Sequence, residues 1–356
     1  MYWALITLYS LYSLLFETAG AELLFAGDAM QHAAQIDVAR TVDSDYDYSA
    51  CFTAIEPAVK RADFAVVNLE TPLGGKPYSG YPMFCAPDNY ARALKDAGFD
   101  MFMLANNHML DRRDRGLKRT IAVLDSMEIP HMGVYASPGD RRARIPYIEN
   151  VNGFAIAFLN YTYGTNGIEV QGEPVVNYIN KDQIKADIKV SRKAGAEFVV
   201  VCVHWGDEYK LLPNRAQRSL ADWLMQQDVD MIIGGHPHVI QPMEMHTDSL
   251  GRKRLLVYSM GNFISNMKTV DTRGGAMVNV SLRRDILGRP RIDRASYQLV
   301  FTVPPTRDIP NFKVIPAEHC ADKEWDARCR AFVRNAEAIF TKHNIDVPRD
   351  SVLLEK

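Results

Sequence analysis

The chain has 356 residues, a formal net charge of −2, 47% hydrophobic residues and 24% charged residues. That length suits one large α/β domain or two small ones and allows a sizeable buried core. Lys and Arg are spread along the whole sequence, which excludes the basic stripe that a nucleic-acid backbone requires, so no nucleic-acid partner is expected.

The first segment, MYWALITLYSLYSLLF from Met1 to Phe16, carries no charge. It is too short to span a bilayer comfortably. Ala19-Gly20-Ala21 follows it, a small-residue pattern of the kind that signal peptidase cuts after. Residues 1–21 therefore read as a signal peptide cleaved before Glu22, although no Lys or Arg precedes the apolar run. The expectation is export to the periplasm, the cell envelope or the medium. No Cys follows the apolar run, so a lipid anchor is not expected.

Short apolar runs then alternate with amphipathic stretches. The runs are Leu23 to Gly27, Phe64 to Glu70, Met101 to His108, Phe154 to Tyr161, Phe198 to Trp205, Met231 to His238 and Leu255 to Phe263. Near-continuous apolarity is the mark of strands buried on both faces. Helices are expected at Cys51 to Arg61, Asn89 to Ala97, Arg115 to Met127, Gln183 to Ala194 and Ala216 to Gln227. This alternation argues for an α/β fold with covered sheets. Further on, Ala276 to Leu282 and Arg294 to Phe301 alternate more and read as antiparallel edge strands. A Pro-containing segment then leads to a charged helix from Asp322 to His343. The domain reading is residues 22–301 as the main domain and 302–356 as a C-terminal extension. The cysteines show no CxxC spacing, and Cys320 with Cys329 is the one pair close enough in sequence to suggest a disulfide.

Polar clusters fall at the strand ends: Asp28, Glu70, Asn106-Asn107-His108, His204, His236 with His238, and Asn262. In an open α/β sheet those ends form one rim where ligands bind. Carboxylate, amide oxygen and imidazole together suit Zn, Mn or Fe, and the absence of thiolates argues against a structural zinc site. Taken singly, each residue has a bland explanation as a turn, a cap or a satisfied core residue. Their joint placement at strand ends favours a site. Gly234 and Gly235 are expected to let the backbone turn sharply before His236, and an extended His-Pro-His would aim both rings at one point.

With GD (Gly27, Asp28), NLE (Asn68 to Glu70), NNH (Asn106 to His108), HWGDEY (His204 to Tyr209), GGHPH (Gly234 to His238) and GNF (Gly261 to Phe263), the chain resembles the bacterial poly-γ-glutamate capsule-synthesis family, within the calcineurin-like metallophosphoesterase superfamily. The resemblance covers roughly Glu22 to Asn266. It implies a four-layer α/β/β/α sandwich holding one or two divalent metal ions. Asp28 and His238 would bind the first, Asn107, His204 and His236 the second, and Glu70 would bridge them. His108 would assist the reaction by donating a proton or hydrogen bond. Asn106, Trp205, Glu208, Tyr209 and Asn262 would contact substrate, with Arg112 and Arg113 as further recognition residues. For Trp205 and the two arginines, purely structural parts stay open.

The superfamily's first motif, Asp-x-His, is broken here because Met30 stands where the imidazole belongs, and a thioether is a poor ligand for a hard dication. His32 is the candidate replacement. The resemblance implies metal-assisted hydrolysis of a phosphoester or amide in a cell-envelope polymer, with association to membrane polymer-synthesis machinery. The alternative is a non-catalytic capsule component keeping a degraded site.

Overall fold

A computed structural model describes residues 20–320 and 322–350. The leader expectation falls almost wholly on residues outside these. Among the described residues no helix is long and apolar enough to cross a membrane.

The first half runs β1 (Ala21–Ala29), α1 (Ala33–Ala39), α2 (Glu56–Val59), β2 (Phe64–Leu69), α3 (Asp88–Asp96), β3 (Met101–Met103), α4 (Arg113–Ser126), β4 (His131–Met132), β5 (Val134–Tyr135) and α5 (Pro138–Arg144). The second continues with β6 (Tyr147–Val151), β7 (Phe154–Thr162), β8 (Val175–Val176), α6 (Lys181–Lys193), β9 (Phe198–His204), α7 (Arg215–Gln226), β10 (Met231–Gly235), β11 (Met243–Thr247), β12 (Lys253–Val257) and β13 (Asn262–Ile264). β14 (Gly274–Arg284), β15 (Pro290–Val303), β16 (Lys313–Pro316) and α8 (Asp326–His343) complete it. The helix expected from Cys51 to Arg61 is broken into a 3-10 turn, Ser49–Cys51, and the short α2, which carries Pro57 in its first turn. A proline is tolerated at a helix start and not inside one.

Two sheets stack face to face. The first has the order β16-β15-β14-β1-β2-β3-β4, with β13 also pairing with β1; the second has the order β11-β12-β10-β9-β7-β6. β1 through β4 are parallel, as are β12, β10, β9 and β7. β14 and β15 are antiparallel as expected, but neither is an edge: β14 lies between β1 and β15, and β16 covers β15. Val278, Val280 and Leu282 point into the inter-sheet core.

Three cores give four layers. Along β1, Leu23 and Phe25 face the other sheet, whereas Leu24 and Ala26 face the covering helices together with Ile36, Leu94 and Leu117. Along β9, Val200 and Cys202 face inward, and Val199, Val201 and Val203 pack under α6 and α7 with Ile184 and Leu220. A strand buried on both faces cannot alternate, which explains the apolar runs. Each such side chain contributes roughly 1.5–3 kcal/mol by burial. α8 completes the inter-sheet core with Cys329, Phe332, Ala336 and Phe340. Phe340 and Phe332 pack 4.5 Å and 5.8 Å from the Tyr297 and Phe301 rings of β15. Cys320 and Cys329 are free thiols in side-chain contact.

Candidate metal centre

The C-terminal ends of β1, β2 and β3 in one sheet meet those of β9 and β10 in the other. Asp28, at the end of β1, is fully buried. Its Oδ2 accepts the backbone N–H of His236 at 3.2 Å and lies 3.4 Å from His238 Nδ1, so one carboxylate ties the two sheets together. Glu70 directly follows β2, and its Oε1 lies 3.8 Å from His204 Nε2 and 3.7 Å from His238 Nε2. The expected bridging carboxylate thus sits between imidazoles from two different strand ends. Asn107 Oδ1 lies 2.8 Å from His204 Nε2, and the rings of His204 and His236 lie 4.8 Å apart.

Asn68 holds the carboxylates together, donating from Nδ2 to Asp28 Oδ1 at 2.8 Å and to Glu70 Oε2 at 3.1 Å. Sequence reasoning gave it no part. A signal was present, since Asn68 and Glu70 are two positions apart on an extended segment and therefore share a face.

Burial would raise the Asp28 carboxyl, but the hydrogen bond with His238, the charges of His204 and His238, and the Asn68 amide outweigh it and hold it below the usual range. Burial and then the Asp28 charge push Glu70 well above the usual carboxylate range. Burial also holds His204 well below its ordinary value and His236 at about 4. Among the buried polar atoms without a hydrogen-bond partner are two that belong to this cluster, Glu70 Oε1 and His236 Nδ1. A buried carboxylate oxygen and a buried imidazole nitrogen left without partners is a costly arrangement that a dication would satisfy. The residues present therefore fit a divalent metal. Donor atoms of Asp28, Glu70 and His238, and separately of Glu208, His236 and His238, cluster within 4.8 Å of one another.

His236 and His238 adopt φ of 98° and 57°, so the His-Pro-His segment is bent rather than extended. Gly234 and Gly235 are not the turn. They are glycine because a Cβ would meet Tyr258 O at 2.1 Å and Asp28 Oδ1 at 2.8 Å. Left-handed backbone at non-glycine residues costs about 1–3 kcal/mol and is characteristic of functional sites.

His108 stands beside the cluster. Its Nδ1 lies 2.8 Å from Asp111 Oδ2, and its ring packs edge-on to Phe84 at 4.6 Å. Asp111 was missed, although His-x-x-Asp in a turn is a legible spacing. Asn166, whose Oδ1 accepts from Asn107 Nδ2 at 3.1 Å, and Tyr163, whose ring lies 4.5 Å from that of His236, arrive from the loop after β7. No sequence signal pointed to either.

Other expected contacts lie elsewhere. Trp205 is a buried core residue whose Nε1 donates to Tyr258 O at 2.8 Å, so it forms no substrate wall. Asn262 is fully buried: its Oδ1 lies 3.0 Å from His238 Nδ1 and its Nδ2 donates to Thr272 O, which makes it a brace for His238. Asn106 is likewise spent internally, donating to Leu69 O and Asn68 Oδ1 and accepting from His108 N. Arg112 braces the preceding loop through Pro77 O and Ser79 Oγ, and Arg113 begins α4. His32 caps α1, accepts the Asn266 N–H at Nδ1, and joins neither donor cluster. Glu208 and Tyr209 are exposed at the mouth, with the Tyr209 ring 6.2 Å from His238.

Residues 22–267 match the model of the bacterial capsule synthesis protein PGA_cap family. The chain belongs to that family. It is 29% identical over 272 residues to the capsule biosynthesis protein CapA of Bacillus anthracis, covering 73% of this chain and 64% of that protein. It is 27% identical over 314 residues to the PGA biosynthesis protein CapA of Bacillus subtilis (strain 168), covering 85% and 78%. The chain thus spans just under two thirds of the first relative's length. Among solved structures it is similar to a Staphylococcus aureus protein assigned as a 5'-nucleotidase, with TM-score 0.50 and 14% identity over 89% of this chain and 58% of that one. That likeness is one of fold and agrees with the four-layer sandwich described above.

Proposed function

We propose that this chain is an exported, metal-dependent hydrolase of capsule or cell-envelope polymer metabolism, cleaving a phosphoester or an amide. The observation that carries the reading is the convergence of Asp28, Glu70, Asn107, His204, His236 and His238, with Glu70 Oε1 and His236 Nδ1 left unpartnered. The names of the relatives support the capsule setting, and the uncharged N-terminal segment supports export. An association with membrane polymer-synthesis machinery is part of the same proposal.

Asp28, Glu70 and His238 would hold one metal and Asn107, His204 and His236 a second, with Glu70 between them. A bound dication supplies Lewis acidity, polarising the scissile group and lowering the pKa of a water. The chain supplies the rest. Asp111 fixes the orientation of the His108 ring through Nδ1, which leaves Nε2 as the ring atom that would meet a leaving group. Phe84 packs against the same ring and shields it from solvent.

One observation favours a second reading, a non-catalytic capsule component: Met30 stands in place of the first-motif histidine, and His32 does not replace it in the donor clusters. The two separate on hydrolysis of a phosphomonoester, a phosphodiester and a γ-glutamyl amide by the Zn-, Mn- or Fe-loaded protein. Turnover that falls at least about 10²-fold in His108→Asn supports the enzyme. Metal binding without turnover of any of the three supports the second reading.

A further inference from the structure

The loop from Trp205 to Lys210 leaves β9 and folds back over the bent His236-Pro237-His238 segment. Tyr209 N–H donates to Pro237 O at 2.8 Å, and Lys210 O accepts from Gln241 Nε2 at 2.7 Å. Gln241 is braced in turn by Gln217 Nε2 at 2.8 Å. Gly206 and Tyr209 both take positive φ, 90° and 65°, to make the return. The loop is therefore pinned to the histidine turn, and it sets Glu208 against it. A Glu208 carboxylate oxygen and one nitrogen each from His236 and His238 lie within 4.8 Å of one another. With metal–ligand distances of about 2.0–2.2 Å, that spacing lets one ion reach all three with small side-chain rotations.

An independent observation points to the same place. The His236 ring is 3% exposed, and its Nδ1 is buried without a partner. The sequence supplies a reason for an added ligand, since Met30 delivers no imidazole to this centre.

We infer that Glu208 is a metal ligand, closing from the solvent side the coordination of a cation held by His236 and His238. This rests on the metal-site reading above and revises its division of the ligands in one respect, since His236 and His238 here share one ion with Glu208. Glu208 then acts on the metal rather than on substrate directly. Because it is exposed, it is the ligand that an anionic phosphate or carboxylate group of a substrate can displace.

The test is titration of metal-free protein with Co2+, read by visible absorption and by metal content after gel filtration, in the wild type, Glu208→Gln and Asp207→Asn. Asp207 is the exposed neighbour and controls for loss of surface charge; thermal unfolding of each metal-free chain checks folding. The expected result is Co2+ binding by the wild type and Asp207→Asn alike. Glu208→Gln should bind at least about tenfold more weakly, with an altered spectrum, since even indirect supports of a ligand are worth 10–100-fold. If the wild type binds Co2+ and Glu208→Gln matches it in affinity and spectrum, the inference is overturned while the metal site stands. Equal weakening in Asp207→Asn and Glu208→Gln overturns it too, because charge rather than ligation is then at work. A wild type that binds no Co2+ overturns both the inference and the reading beneath it.

Discussion

His108 and Asp111 form a buried pair, with Nδ1 2.8 Å from Oδ2, and the same oxygen accepts the Phe84 N–H at 2.7 Å. One carboxylate therefore orients the proposed proton donor and fixes the aromatic ring packed against it. Asp111→Asn keeps the shape but offers an amide that can present the wrong atom to Nδ1. The expected outcome is a fall of about 10²-fold or more in kcat with metal content unchanged. An unchanged kcat would show that Asp111 does not position His108 for the chemistry.

Asn262 acts through His238. Loss of its Oδ1 in Asn262→Ala frees the ring to rotate and leaves Nδ1 without that acceptor. Metal affinity, measured by competition with a chelator, should weaken by about 10–100-fold. A variant as tight as the wild type would show that the Asp28 contact alone orients the ring.

Stability of the metal-free protein should fall in mild acid. Burial lowers the pKa of His131, which belongs to neither donor cluster, and holds His32 at about 4 against an ordinary 6.5. A histidine whose folded pKa lies below its unfolded value contributes fully above the unfolded value, and that contribution is lost as pH falls toward the folded one. Tm followed from about pH 7.5 to about 4.5 should therefore drop below about 6.5. His131 Nδ1 lies 2.9 Å from Ile129 O, and Arg144 Nη1 lies 3.2 Å from Nε2, so His131→Asn should make the drop shallower. A flat wild-type profile across that window contradicts the neutral buried histidines.

α8 is part of the core rather than an appendage in energetic terms. Phe332→Ala removes a ring that is 1% exposed and packed on Phe301. Denaturant unfolding should show a loss of about 3–5 kcal/mol. A loss under about 1 kcal/mol would mean that the site-bearing sheets are stable without the helix.

The fold was legible because strands such as β1 and β9 are covered on both faces and so read as unbroken apolar runs. Most of the donor residues were legible because they stand at the ends of those runs. What escaped depends on tertiary partners that sequence does not display. Trp205 and His204 are adjacent, yet neighbouring positions on a strand face opposite ways, which sends the imidazole to the centre and the indole to the outer core. The stretch from Ala276 to Leu282 resembles an edge strand until β15 and β16 extend the sheet beyond it. Tyr163 and Asn166 reach the centre only because β7 ends beside β9. The crowding at Gly234 and Gly235, where Tyr258 and Asp28 leave no room for a side chain, likewise exists only once the two sheets have met.

The central claim is that these side chains form a metal centre, and the most direct test is the metal content of purified wild type beside His236→Ala and Glu70→Ala, with folding of each verified. One or two equivalents of Zn, Mn or Fe are expected in the wild type, with loss of metal in both variants. A wild type that folds normally and retains no metal, even after incubation with each ion, would contradict it.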